Sequence, residues 1–311
     1  MTSRATGKEA ARARVAQLKA AQVRAERRRR ALLGVAAVGA VLLIVVALVL
    51  AKAAGLGSKH SSSTTSSTST GSATPLPAAV ARAVTAVPPS TLDAVGVDGV
   101  TTVPKAIHAP ALTQGGKPKV LYVGAEFCPF CAAQRWPVVV ALSRFGTWHG
   151  LAATESATND VFPGTPTLSF HGATYTSDYL AFTGVETTTN QPRTGGGYRP
   201  LDSLSPADQQ VFDTYDRPPY VDGSPGSIPF LDLGGKFALS GASYSPELLK
   251  GKTRAQIAAG LKDPNDPVAQ AIDGSANLLS AALCSLTNQK PAAVCTSSGV
   301  KAAATKLARS P

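Results

Sequence analysis

Apolar and polar positions divide the 311-residue chain into three unlike stretches before any element is assigned. Residues 31–51 contain neither a charged nor a hydrogen-bonding side chain. As a helix rising 1.5 Å per residue the segment would be about 31 Å long, enough to cross a bilayer. Residues 55–77 have the opposite character. Their ten-residue tract Ser61 to Thr70 consists only of Ser and Thr and offers nothing to bury, so a flexible stalk reaching about 25–30 Å is predicted.

Regular patterning starts after the stalk. Residues 80–96 are rich in Ala and Val and compatible with helix around Pro88-Pro89, whereas 101–118 are irregular. The run 120–124 reads as a buried strand, 131–145 as a helix bent by Pro137, and 151–154 as a short second strand paired parallel to the first. Strand character returns at 167–170 and 175–183, around His171-Gly172, followed by a polar, Gly-rich loop at 187–198. An insertion fits that stretch. Ser205-Pro206-Ala207-Asp208 carries a cap, a proline suited to the first turn and an early acid, so a helix is predicted to Tyr215. Residues 228–233 and 237–240 flank Gly234-Gly235, a hairpin signal. Helical segments are predicted from Ser245-Pro246-Glu247 and over 253–261.

Charge is distributed unevenly. The chain has a net charge of +11, of which +8 falls in residues 1–30. The basic surplus is therefore a property of the tail, and beyond it no basic-aromatic motif suggests a nucleic-acid binder. Arg27 to Arg30 stand before the apolar run and Lys52 stands alone just after it. That asymmetry predicts a cytoplasmic N-terminus and an exported C-terminal part. Ala51-Lys52-Ala53 resembles a cleavage site, but the apolar core exceeds the usual signal-peptide length of about 7–15 residues, which favours an uncleaved anchor.

All four cysteines, Cys128, Cys131, Cys284 and Cys295, lie beyond the span, where disulfides persist. The simplest pairing joins 128 with 131 and 284 with 295, with the other two connectivities open. Cys128-Pro129-Phe130-Cys131 falls between a strand and a helix start. Unpaired N–H groups and the helix dipole there stabilise a thiolate. Thiol-disulfide exchange is the leading reading, ahead of a structural bridge or half of a zinc site. Zinc needs two more ligands. Cys284 and Cys295 lack knuckle spacing, while His149 and His171 are isolated, so no metal or other cofactor is expected. Cys284 and Cys295, flanking Lys290-Pro291, are read as a structural staple; a second redox pair is the sharper alternative.

The order strand, helix, strand, insertion, helix, strand, strand, helix, with Cys-x-x-Cys at the first helix, resembles the thioredoxin fold over residues 119–262. Ala125-Glu126-Phe127-Cys128 looks like the thioredoxin Ala-Glu-Trp-Cys. Pro129-Phe130 is closer to glutaredoxins and periplasmic disulfide oxidases. Tyr122 to Cys131, Ala141 to Gly146, Gly226 to Phe230 and Ser240 to Ser245 resemble an uncharacterised prokaryotic family of membrane-anchored thioredoxin-like proteins.

This resemblance implies Cys128 as attacking thiolate, Cys131 as resolving thiol, and a cis proline beside them that binds extended substrate. Pro229, in Ile228-Pro229-Phe230, is expected to be that proline rather than Pro166. Pro129, Phe130, Ile228 and Pro229 are accordingly expected to contact substrate. Tyr122 occupies the place of the buried thioredoxin Asp, which leans the reading away from a reductase and toward an oxidase or isomerase.

The expected architecture is thus an α/β, thioredoxin-like domain with a membrane anchor. Its divisions are a basic tail (1–30), a transmembrane helix (31–51), a stalk (52–89), the thioredoxin-like domain (90–262, insertion at about 156–204) and a helical extension with a disulfide (263–311). The expected activity is extracytoplasmic thiol-disulfide exchange with exported proteins or a membrane redox partner. A non-enzymatic binding or assembly module with a bridged 128–131 pair is the alternative.

Overall fold

The computed structural model describes residues 74–309; the basic tail, the predicted span and most of the predicted stalk lie outside the described residues. A short strand β1 (Thr74–Pro75) precedes helices α1 (Ala78–Thr85) and α2 (Pro89–Val95), strands β2 (Lys105–Ala106), β3 (Thr113–Gln114) and β4 (Lys117–Gly124), and helix α3 (Pro129–Ser143). A strand-rich stretch follows: β5 (Thr147–His149), β6 (Ala152–Glu155), β7 (Pro166–Ser169), β8 (Thr174–Thr176), β9 (Ala181–Glu186), β10 (Thr188–Pro192) and β11 (Tyr198–Pro200). Helix α4 (Pro206–Tyr215), strands β12 (Phe230–Leu233) and β13 (Phe237–Ser240), and helices α5 (Arg254–Gly260), α6 (Pro267–Leu286), α7 (Ala292–Cys295) and α8 (Ser298–Ala308) complete it.

The organising strand is β4. Its apolar run has buried side chains on both faces, the pattern of a central strand. β12 pairs antiparallel along one edge, with Phe230 opposite Val123 and Leu233 opposite Val120. β3 takes the start of the other edge, and β9 takes the rest in parallel register, from Lys119 opposite Ala181 to Gly124 opposite Glu186. Side chains alternate across the sheet. Val120, Tyr122, Leu231, Leu233 and Leu239 enter the larger core with residues of α3 and α6, whereas Leu121, Val123, Phe230 and Ala238 meet Val211 and Phe212 of α4 on the opposite face. Each large aliphatic side chain so buried contributes about 1.5–3 kcal/mol.

Helix α3 is buried at every residue except Phe130 and Ser143, because it packs against α6, β7, α1 and the turn at Pro246–Leu249 in the larger core. A helix enclosed in this way is buried all round rather than on one stripe, and its polar Gln134 and Arg135 are buried with it. Pro137 lies inside it and cannot donate to the carbonyl of Ala133. Tyr244 repairs the loss by donating its hydroxyl to Ala133 O at 2.8 Å.

Several expected elements fall where the pattern placed them. Ser205 caps α4 by accepting from Asp208 N, and Gly234 and Gly235, with φ of 66° and 73°, turn the β12–β13 hairpin. Four expectations need correction. The strand expected at 151–154 forms as β6, but it pairs antiparallel with β7 rather than parallel with β4. That hairpin is committed to α3: Trp136 Nε1 donates to Pro166 O and Thr167 Oγ1 donates to Ala132 O. The parallel partner of β4 is β9, so the segment read as an insertion supplies a core strand. Residues 78–85, assigned to the stalk, form α1 with Val80 and Val84 buried, and α6, assigned to an extension, packs on α3 inside the core.

Candidate functional site

β4 ends at Gly124, and a four-residue turn delivers Cys128 to the N-cap of α3. Its backbone is extended (φ −77°, ψ 122°), while Pro129 takes the first helical position, where its missing N–H leaves no helical bond unmade. Cys128 Sγ accepts from Cys131 N–H at 3.3 Å and donates to Ile228 O at 3.7 Å. Ile228-Pro229 is a cis peptide. Pro166, the other proline weighed for that place, instead opens β7.

The two thiols are unlinked and unequal. Cys128 keeps 6% of its surface exposed and Cys131 none. The hydrogen bond from the Cys131 side chain lowers the Cys128 pKa, helped by Cys131 N–H, the Arg135 guanidinium and Phe130 N–H, and together these outweigh burial. Burial pushes the Cys131 thiol well above its ordinary value, and the negative charge of Cys128 pushes it further. A thiol more readily ionised and with a little surface exposed is thereby set against a fully covered one that is harder to ionise.

Among the described residues only two large hydrophobic side chains are exposed, Phe130 at 39% and Val161 at 67%. Phe130 meets Phe162 edge-on, with ring centroids 5.8 Å apart, so an apolar lip rises beside Cys128. On the turn before the site, Phe127 stacks on Tyr198 of β11 at 4.3 Å. The predicted set of Cys128, Cys131, Pro129, Phe130, Ile228 and Pro229 is gathered in one place.

Behind the cysteines stands an ion pair that the sequence reading missed. Arg135 Nε and Nη2 donate to Glu186 Oε1 and Oε2 at 2.8 and 2.6 Å, and Nη2 also donates to Ala125 O at 2.7 Å. Both side chains have zero exposure. Arg135 lies one helical turn after Cys131, on the same face of α3, and Glu186 closes β9 opposite Gly124. Burial pushes the Glu186 carboxyl up in spite of the guanidinium.

Tyr122 completes the cluster. A Cβ on Gly124 would lie 2.5 Å from the Tyr122 hydroxyl, so glycine there gives the ring room to cross the strand end. Tyr122 Oη and Arg135 Nη1 are both buried without a hydrogen-bond partner among the described residues. A charged residue within the apolar 132–142 stretch, four positions after Cys131, was the available signal for Arg135. Glu186 gave none, because only the pairing of β9 with β4 brings it here.

Other candidates lie elsewhere. Cys284 and Cys295 are joined in a disulfide, with Cα atoms 5.6 Å apart, linking the end of α6 to α7. His171 Nδ1 pairs with Asp202 at 2.7 Å, and Asp202 accepts from Glu186 N–H. Among the described residues no cluster of three His, Cys, Asp or Glu side chains is placed to hold a metal ion.

A family model described as a domain of unknown function (DUF929) matches residues 105–197, a stretch that includes both cysteines, Arg135 and Glu186. No curated protein and no solved structure matches the chain.

Proposed function

We propose that this chain is a membrane-anchored, extracytoplasmic thiol-disulfide oxidoreductase with a thioredoxin-like domain. The observation that carries the reading is the unequal pair at the start of α3: Cys128 lowered in pKa, Cys131 covered and raised, and the cis Ile228-Pro229 backbone within reach of Cys128 Sγ. The thioredoxin-like reading draws support from the topology. A strand leads through Cys-x-x-Cys into a helix, a parallel strand flanks the first, and the final antiparallel hairpin starts directly after the cis proline. The anchor and its orientation rest on residues 31–51 and the arginines before them. The Cys284–Cys295 disulfide agrees with an oxidising compartment.

In the proposed reaction the Cys128 thiolate attacks one sulfur of a client disulfide, and the other client sulfur leaves as a thiolate. Cys131 then loses its proton and attacks Cys128 Sγ, which forms the Cys128–Cys131 disulfide and expels the second client thiolate. Two protein thiols are oxidised and one client disulfide is reduced. The reverse sequence carries a disulfide to a client dithiol. Interactions that hold Cys128 as a thiolate stabilise the reduced pair and make its disulfide the stronger oxidant, which favours this reverse direction.

A Cys131→Ser variant in cells tests the exchange. Mixed disulfides should accumulate through Cys128 with exported or membrane proteins, and their absence from a folded, exported variant counts against the reading. Alkylation across graded redox buffers gives a second check. A Cys128–Cys131 pair that stays oxidised below about −300 mV is a structural bridge.

A further inference from the structure

Residues 156–165, the loop between β6 and β7, belong to neither β4 nor α3, the elements that carry the cysteines, yet they border Cys128 on two sides. Ala157 N donates to Phe127 O at 2.9 Å, one residue before Cys128, and the Phe162 ring packs edge-on against Phe130, two residues after it. The loop is built to hold that position. Ser156 N donates to Thr165 O at 2.9 Å and Thr165 N donates to Ser156 Oγ at 2.8 Å, which closes its ends. Phe162 O accepts from both the Ser156 and the Thr165 hydroxyl at 3.0 Å. Tyr198, stacked on Phe127, donates its hydroxyl to Asn159 Oδ1 at 2.9 Å. A loop braced in this way has little conformational freedom left to lose when something binds to it.

What the loop presents is apolar. Val161 and Phe130 are the only large hydrophobic side chains exposed among the described residues, and Phe162 joins them, following Val161 in the chain and touching Phe130. Exposed apolar residues scattered singly over a surface need no explanation, but here the exposed set borders one thiol. The patch is too small to join two copies, since a stable dimer takes about 20–30 residues a side. It is also unlike a bilayer anchor, which sets basic residues beside its apolar face. The neighbour of Val161 is Asp160, whose carboxylate accepts from Val161 N at 2.6 Å. A client joined covalently to Cys128 Sγ, by contrast, must lay the residues beside its own cysteine against Phe130 and this loop.

Resting on the exchange reading, we propose that loop 156–165 is a specificity element, which selects clients whose reactive cysteine is flanked by an aromatic or large aliphatic residue. Phe162, Phe130 and Val161 offer the surface on which that residue packs, and an aromatic flank can meet the two rings offset or edge-on. The covalent step is unchanged: the Cys128 thiolate attacks one client sulfur and the other leaves as a thiolate. What the loop adds is apolar burial in the mixed disulfide and in the transition state that leads to it.

Competing peptide disulfides test the selection. The reduced full-length chain in detergent is mixed with the symmetric disulfide of a short peptide that has either Phe or Ser on both sides of its single cysteine. Cys128 expels the first peptide thiolate and Cys131 the second, so peptide thiol in acid-quenched samples gives the rate. Each rate is divided by that of the same disulfide with dithiothreitol, which removes differences in intrinsic reactivity. The wild-type rate for the Phe peptide should exceed that for the Ser peptide about tenfold, the low end of what one apolar group in a pocket discriminates. Val161→Ser should lower the ratio to about threefold, and Val161→Ser with Phe162→Ser to below about twofold. Because Phe162→Ser can disturb the loop, the exposed Val161 decides alone: a folded Val161→Ser protein that keeps the wild-type ratio overturns the proposal. Equal wild-type rates overturn it too; a dimer dissolved by Val161→Ser would then give the patch to a second copy, and quenching of a Val161→Trp probe by brominated lipid would give it to the bilayer. Release from neither peptide overturns the exchange reading and this inference with it, whereas release at equal rates overturns this inference alone.

Discussion

Replacing Arg135 by Met tests the electrostatics of the site through stability. The side chain keeps much of its length and apolar stem, but Glu186 loses two charge-assisted hydrogen bonds and Ala125 O loses one. Leaving one partner of a buried pair uncompensated typically costs about 3–5 kcal/mol, and zero exposure of both side chains places this pair at that limit. The cost should depend on pH, because an isolated buried carboxylate binds a proton rather than remain charged. Glu186 is already raised from its usual 4.5 in the intact pair, and Arg135→Met raises it further. The native state then holds more protons than the unfolded state above that usual value. Stability is therefore greatest at low pH and falls as pH rises toward the folded-state value, by about 1.4 kcal/mol per unit. Urea unfolding from pH 4 to 8 should show a deficit that is small at the acid end and about 3–5 kcal/mol at the alkaline end. The double variant Arg135→Met/Glu186→Leu should recover most of it, since an apolar replacement of a buried pair is often near neutral. A pH-independent loss, or one below about 1 kcal/mol throughout, would refute the assignment of a charged pair behind the cysteines.

Tyr244→Phe leaves the Ala133 carbonyl, freed by Pro137, without its 2.8 Å donor. Thermal unfolding should report a loss of about 1–3 kcal/mol, the cost of an unsatisfied buried acceptor. Asp273 on α6 is pushed up to about 8 by burial, with Arg144 pulling the other way. Its contribution to stability is full below the unfolded value of 3.8 and is lost as pH rises through about 8. Asp273→Asn should therefore be more stable than wild type at pH 9 in urea unfolding, and that advantage should disappear by about pH 4. A constant difference between those limits would contradict a buried, largely protonated Asp273.

Local signals found much of the site and little of what surrounds it. Cys128 and Cys131 were legible because thiol spacing and a strand-to-helix junction are properties of a few consecutive residues. Pro229 was legible from its place before a hairpin whose Gly234-Gly235 turn is also local. Glu186 was not, since its neighbours in sequence read as part of an insertion. Which strand pairs with β4 is decided by competition among distant segments. The segment at 151–154 lost that place when β6 and β7 closed over α3.

By itself the sequence determined the Cys128-x-x-Cys131 pair at a strand-to-helix junction, the apolar run at residues 31–51, and the turns and caps that start α4 and the β12–β13 hairpin. Each depends on residue type and short spacing, and so survives without knowledge of the fold. Tertiary structure alone decided that β9 lies beside β4, that Tyr244 satisfies the carbonyl freed by Pro137, and that Arg135 and Glu186 meet behind Cys131. Those outcomes require a buried charge or an orphaned polar group to find its partner across the core, 51 residues apart in the case of Arg135 and Glu186. No short stretch of chain carries both halves of such a contact.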